Sequence, residues 1–222
     1  MAVKLMHYYT IIPSQKDEYS EFILKKFIPE INRLGLYTVA GWTVLVGSYS
    51  EVILETASRD LDQLEAALKS NEYRHLKSDL LNYIKKYKTK MLVPLKKGRD
   101  YSTDLIEHTI KFNQVWDVIT RKEEDYKRYT QFMFEEFYPV LEEIGVQIAG
   151  EWEVLIGEGP RTICEGRVKD VCSLINALEG AKFRKAKEKL KTHVENYESR
   201  ILSFHIQRQK TGQAETYHII DK

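Results

Sequence analysis

The stretch Phe27-Ile-Pro-Glu-Ile-Asn-Arg-Leu-Gly35, continuing through Gly41-Trp42-Thr-Val-Leu-Val-Gly47, occurs twice in this chain. At an offset of 110 it returns as Phe137-Tyr-Pro-Val-Leu-Glu-Glu-Ile-Gly145 and Glu151-Trp152-Glu-Val-Leu-Ile-Gly157, with the proline, the tryptophan and the glycines at 35 and 47 kept in step. Aligning residues 4–94 with 114–204 without a gap leaves 21 of 91 positions identical. Self-similarity at one period marks a duplicated unit, and two copies make a pair rather than a solenoid. The chain therefore divides into a first half, 1–94, a linker, 95–112, a second half, 113–208, and a tail, 209–222.

Working outward from the repeat, each half spells the same order of elements. Residues 4–12 are aromatic and β-branched and stop at Pro13-Ser14, which reads as a strand. Ser14 is placed to cap a helix whose first turn carries Asp17 and Glu18. Apolar residues at 19, 22, 23, 27, 31 and 34 keep helical spacing up to Gly35, a C-terminal stop. Pro29 falls inside that helix and should bend it, as should Pro139 in the second half. From Leu36 to Gly47 the pattern alternates, a strand with Thr38, Ala40, Trp42 and Val44 on one face. A turn near Gly47–Ser50 leads to a third strand over 51–58. Asp60 then caps a helix to Lys69, a second helical run follows over 71–87, and a strand at 89–93 ends at Pro94.

Strand, helix, strand, strand, helix, strand is the split β-α-β order of a ferredoxin-like sandwich. Such a unit covers one face of its sheet with helices and leaves the other bare. Two units on one chain can cover each other's bare faces, so the expected fold is α+β: two tandem ferredoxin-like units packed sheet to sheet, an intramolecular pseudo-dimer. Further self-association of that unit is left open. After the last strand, Glu215–Ile220 reads as one more strand lying along a sheet edge.

The chain has 222 residues, with 34 basic and 33 acidic side chains and a formal net charge of +1. Nucleic-acid binders need a surplus of Lys and Arg, so no nucleic acid is expected. The N-terminus lacks a signal-peptide pattern and no window reaches the length of a membrane span, so neither export nor a membrane partner is expected. Cys164 and Cys172 have no counterparts at Leu54 and Asp62, which argues against a disulfide framework and suits a reducing cytoplasm.

The pattern resembles the dimeric α/β-barrel superfamily, in its NIPSNAP-like branch. The likeness is carried by the Pro29/Gly35 helix end, the Gly47 to Val52 hairpin, the Leu61, Leu64 and Leu68 helix, and the close from Tyr73-Arg74 to Met91-Leu92-x-Pro94. It covers both halves. The resemblance implies ferredoxin-like units joined into a barrel, with ligand cavities between sheet and helices. It also implies a choice among cofactor-independent monooxygenases, heme-degrading or heme-containing enzymes, and binding proteins without a known reaction. One departure stands out: a histidine-leucine-tryptophan-x-tyrosine run frequent in the third strand of the NIPSNAP-like branch is replaced here by Leu54-Glu-Thr-Ala-Ser58 and Cys164-Glu-Gly-Arg-Val168.

Six residues are candidate ligand contacts. Trp42 and Trp152 sit mid-strand on the more apolar face, where helices should lie, as an aromatic cavity wall or as plain core. Glu55 and Glu165 are carboxylates in otherwise apolar strands; they must be paired, hydrated or raised in pKa, with Arg74 or Arg184 as the expected partners. His7 shares a face with Tyr9 and is matched to Asp117 at the 110 offset. Tyr9 belongs to a tyrosine-rich set that either lines a pocket or edges the core. No cofactor is expected. Heme stays as an alternative through His75 or His193, following the superfamily's use of a helix histidine as axial ligand. No His-x-His, Glu-x-x-His or phosphate-loop motif occurs, so no metal site is expected. The functional expectation is a small apolar or aromatic ligand in a sheet-helix cavity. The alternative is a cofactor-independent monooxygenase or isomerase.

Overall fold

The computed structural model describes residues 3–47, 52–95, 108–211 and 214–220. The tip of the hairpin after Gly47, residues 96–107 of the linker and Gly212-Gln213 lie outside the described residues, and the linker's last three residues, 110–112, belong to the first strand of the second half. The first half runs β1 (Val3–Ile11), α1 (Lys16–Phe22), α2 (Ile28–Arg33), β2 (Tyr37–Val46), β3 (Val52–Ser58), α3 (Leu61–Lys69), α4 (Asn71–Leu80) and β4 (Ile84–Pro94). The second repeats it: β5 (Ile110–Val118), α5 (Glu123–Phe132), α6 (Tyr138–Glu143), β6 (Gln147–Ile156), β7 (Thr162–Val168), α7 (Val171–Glu179), α8 (Ala181–Leu190) and β8 (Val194–Thr211), after which β9 (Ala214–Ile219) folds back on β8.

The strands form one antiparallel sheet in the order β2-β3-β1-β4-β6-β7-β5-β8-β9, and β2 also pairs with β8. The first eight strands thus close into a barrel. The two units meet sheet to sheet, as expected, and their edges are also stitched together. Leu92 pairs with Val154 and Pro94 with Trp152 on one seam; on the other, Leu202 pairs with Val44 and Phe204 with Trp42. Closure satisfies the four strand edges that two separate units would leave open. Helices cover the outside over two clusters, one per half, and a third cluster built from both halves fills part of the lumen.

Local chemistry explains most boundaries. The Asp60 carboxylate accepts from the Gln63 backbone N–H at 2.9 Å, and Asp170 from Ser173 at 2.6 Å, capping α3 and α7. Gly35 and Gly145 stop α2 and α6 at φ +82° and +85°, where a Cβ is costly. Ser14 makes no side-chain cap; Pro13–Gln15 form a short 3-10 turn instead. Pro29 and Pro139 are accommodated by π turns, Ile23–Phe27 and Met133–Phe137, which directly precede α2 and α6. A proline cannot donate to the carbonyl four residues back, and the wider turn re-routes that hydrogen bonding. The helical run expected to Tyr87 ends at Leu80, and β4 begins at Ile84 with Lys86 in a left-handed kink (φ 54°). Asn196 repeats the kink in β8 at φ 55°.

One alignment needs correcting. Val3–Tyr9 pair with Ser58–Val52, and Ile110–Trp116 pair with Val168–Thr162. Since 52–58 and 162–168 differ by 110, the first strands must match at 107: Lys4 with Lys111, Met6 with Asn113, His7 with Gln114, Tyr9 with Trp116. The second half carries three extra residues between β5 and α5. His7 therefore answers to Gln114, not to Asp117, and Lys111 belongs to the barrel.

Among the described residues, no helix is long and apolar enough to cross a membrane.

Candidate functional site

The six candidate residues fall into two places. Strand alternation turns Lys4, Met6 and Tyr8 of β1, Ile53 and Glu55 of β3, and their counterparts on β5 and β7 into the lumen. His7 and Tyr9 turn out toward the helices.

Trp42 and Trp152 also face the lumen, against the expectation that they lie under helices. Both faces of β2 are apolar, so periodicity alone does not say which is inside; on its outer face a Cβ on Gly41 would come within 2.9 Å of Ile206. The lumen, by contrast, has room for indole and supplies cations to its face. Lys4 Nζ lies 4.1 Å from the Trp152 ring centroid, Lys111 Nζ 5.2 Å and the Arg167 guanidinium 4.2 Å from that of Trp42.

Those cations belong to a buried network. Lys4 donates to Glu165 at 2.7 Å, Lys111 donates to Glu165 at 2.8 Å, and Lys111 also donates to Glu55. The two glutamates are thus partnered by lysines across the barrel. Arg74 and Arg184 are exposed on α4 and α8, and neither is a partner. Lys4 reaches from the first half to the second and Lys111 from the second to the first, a cross-linked pair generated by the duplication. Burial raises the Glu165 carboxyl, but Lys111 and Lys4 outweigh it and hold it well below the usual range. Burial pulls Lys111 below its ordinary value, beyond what Glu165 and Glu55 restore, whereas at Lys4 the two carboxylates prevail and raise it. The network is interlocked and buried between the two halves.

On the helix side of the first half, His7 Nδ1 lies 2.8 Å from the Tyr87 hydroxyl and the Tyr9 hydroxyl 2.7 Å from that of Tyr19. The second half repeats both contacts with different groups: Tyr197 donates to Gln114 Oε1 at 2.8 Å, and Trp116 Nε1 donates to the Tyr129 hydroxyl at 2.9 Å. Burial, with Lys77 nearby, drops His7 to about 3, so its imidazole is neutral. The layer is closed off: His205 stacks on Tyr19, and Tyr217 of β9 donates to the Thr38 carbonyl at 3.1 Å.

The helix side of the second half differs. Where the first half has Gly41 under Ile206, this one has Glu151, 1% exposed. It interacts electrostatically with the hydroxyls of Tyr126, Tyr129 and Tyr138, and all three phenols are raised, chiefly by burial. Tyr126 and Tyr129 also line a cleft of about 330 Å³, with Asp117, Glu153 and Arg161 on its other walls; Glu151 lies behind these tyrosines and is not itself on the wall. Residue-type reasoning passed over Glu151 because it placed that face against the other sheet. The signal available was the replacement of a glycine by a carboxylate within an otherwise matched strand.

Of the two heme candidates, His75 is exposed on α4, and His193 stacks on Phe132 at 5.0 Å in the turn after α8; neither is on the walls of these three clefts. Among the described residues, no group of three or more His, Cys, Asp or Glu could hold a metal ion. Cys164 is buried and Cys172 exposed, and neither forms a disulfide.

The closed eight-strand barrel with outer helices, built from two ferredoxin-like units, is a dimeric α/β barrel made within one chain. Solved structures share it. An anthrone oxidase-like protein aligns over 91% of each chain at 10% identity with a TM-score of 0.61. A candidate monooxygenase from Lactobacillus acidophilus NCFM aligns over 99% of each chain, also at 10% identity, with a TM-score of 0.56. A NIPSNAP family protein from Agrobacterium tumefaciens covers 43% of this chain and 95% of its own at 18% identity, with a TM-score of 0.36. At this identity the likeness of the first two is one of fold alone. No protein-family model and no curated protein matches the sequence.

Proposed function

We propose that this protein binds a small aromatic or apolar molecule carrying an acidic O–H or N–H, between the sheet and the helices of its second half. The supporting observation is Glu151: a carboxylate among three tyrosines, two of which line a cleft, at the position where the first half is a glycine under a cover. A buried carboxylate set among phenol hydroxyls is placed to exchange a proton or a hydrogen bond. Stacking on Tyr126 and Tyr129 would hold a planar ring, and Glu151 would accept its proton or hydrogen bond.

The second reading, a cofactor-independent monooxygenase or isomerase, draws on the same group. In it Glu151 acts as general base on an acidic substrate. The neighbour described as a monooxygenase shares the fold and lends that reading no residue.

Native mass spectrometry of the purified protein tests for a retained ligand. Thermal-shift titration with simple phenols and naphthols, against their methyl ethers, tests the role of Glu151. Stabilisation by phenols that is lost in Glu151→Gln, with the unliganded melting temperature kept, is the expected result. Equal responses to phenols and ethers, or a response unchanged in Glu151→Gln, would remove the proposal.

A further inference from the structure

One cleft belongs to neither half. It measures about 530 Å³ and lies at one end of the barrel lumen, within the range of small-molecule sites. Its walls come in duplicated pairs: Tyr8 with Val115, Ile53 with Ile163, and Lys90 with Arg200. Both members of each pair line the same cleft, so it sits on the pseudo-two-fold axis relating the halves. Below it the lumen is closed by the cluster of Trp42, Leu92, Val154 and Leu202, with the lysine-glutamate network among them.

A site on an exact two-fold axis offers every group twice and suits a symmetric occupant. Here the copies have diverged. Tyr8 faces Val115, Lys88 answers to Glu198, and Asn113 stands where the first half has Met6. Asn113 is 7% exposed and lines the cleft, and its Oδ1 has no hydrogen-bond partner among the described residues. A buried amide oxygen left so is costly, and a ligand donor would satisfy it. Among the described residues the charged groups lining it are Lys88, Lys90, Arg200, Glu158 and Glu198; Lys88 pairs with Glu158 at 3.1 Å, and Lys90 and Arg200 have partners of their own.

We propose that this axial cleft is a binding site for a small amphipathic organic anion. Its apolar body lies between the Ile53/Ile163 and Tyr8/Val115 layers, its anionic group lies toward Lys90 and Arg200, and a donor on it reaches Asn113. The duplication makes such a site available: one chain can tailor the two walls separately, which a dimer of identical chains cannot. The site is independent of the one proposed beside Glu151.

The test is fluorescence titration of the full chain with 8-anilinonaphthalene-1-sulfonate, an aromatic anion with an N–H donor. Two cleft-filling variants on opposite walls, Ile163→Trp and Val115→Phe, are each checked for folding by circular dichroism. Affinity should fall at least tenfold in every filling variant that folds, several-fold in Arg200→Glu, and stay unchanged in Lys69→Gln, an exposed α3 residue that lines neither cleft. Affinity unchanged in a folded filling variant overturns the assignment. If neither filling variant folds, Arg200→Glu decides: unchanged affinity refutes the site and a several-fold loss supports it.

Discussion

Replacing His7 with glutamine should flatten the acid side of the protein's stability curve. The duplication supplies the reason: Gln114 occupies the equivalent position and meets Tyr197 as His7 meets Tyr87. Glutamine therefore fits this environment with a hydrogen bond to tyrosine and no titration. His7 is fully buried, packed edge-on against Phe27, with Thr56 and Tyr87 around it and Lys77 nearby. Its folded pKa is about 3, against about 6.5 in an unfolded chain. The folded state resists protonation, so the unfolded state binds more protons between those limits. Stability is then full above about pH 6.5 and falls as pH drops toward 3. At pH 5 the loss from this residue is about 2 kcal/mol, from about 1.4 kcal/mol per pH unit over one and a half units. For a chain of this size that is about 4–8 °C in melting temperature. Urea unfolding of wild type and His7→Gln at pH 7 and pH 5 isolates the term, because every other titrating group is shared. The variant should lose about 2 kcal/mol less between the two pH values. Parallel pH dependence in the two proteins would show that His7 accepts a proton without unfolding, and the reasoning would fail.

Two more predictions test the barrel. Lys111→Met leaves Glu55 without the only cation hydrogen-bonded to it among the described residues, while Glu165 keeps Lys4. It should cost about 3–5 kcal/mol in urea unfolding, most of it recovered in Lys111→Met/Glu55→Gln; a single-variant loss under about 1 kcal/mol would mean the network is not buried as described. A fragment of residues 1–94 exposes the edges of β2 and β4 that the second half now pairs, and should self-associate in size-exclusion chromatography. A stable folded monomer would show that each half stands without its neighbour.

The duplicated proline, glycine and tryptophan positions were enough to read two units, their strand-helix order and their sheet-to-sheet meeting. Those features depend on short-range periodicity and on residues with special backbone chemistry, which a linear pattern carries. The pairing Val3-Lys-Leu with Ile110-Lys-Phe was also present, hidden by a three-residue insertion that a gapless comparison cannot cross. Allowing that gap would have brought Lys111 into the barrel and given Glu55 its partner.

Other assignments needed the closed barrel itself. Alternation divides a strand into two faces without saying which one is enclosed, so the tryptophans and Glu151 were assigned to opposite sides of where they lie. In β2 the outer face is marked by the approach of Ile206 to Gly41, and the lumen by lysines arriving from strands more than 50 residues away in sequence. Contacts of that range arise from curvature and closure, which exist only once all eight strands have joined. The axial cleft belongs to the same class: each of its walls is an ordinary strand face, and only the joined halves turn them toward one another.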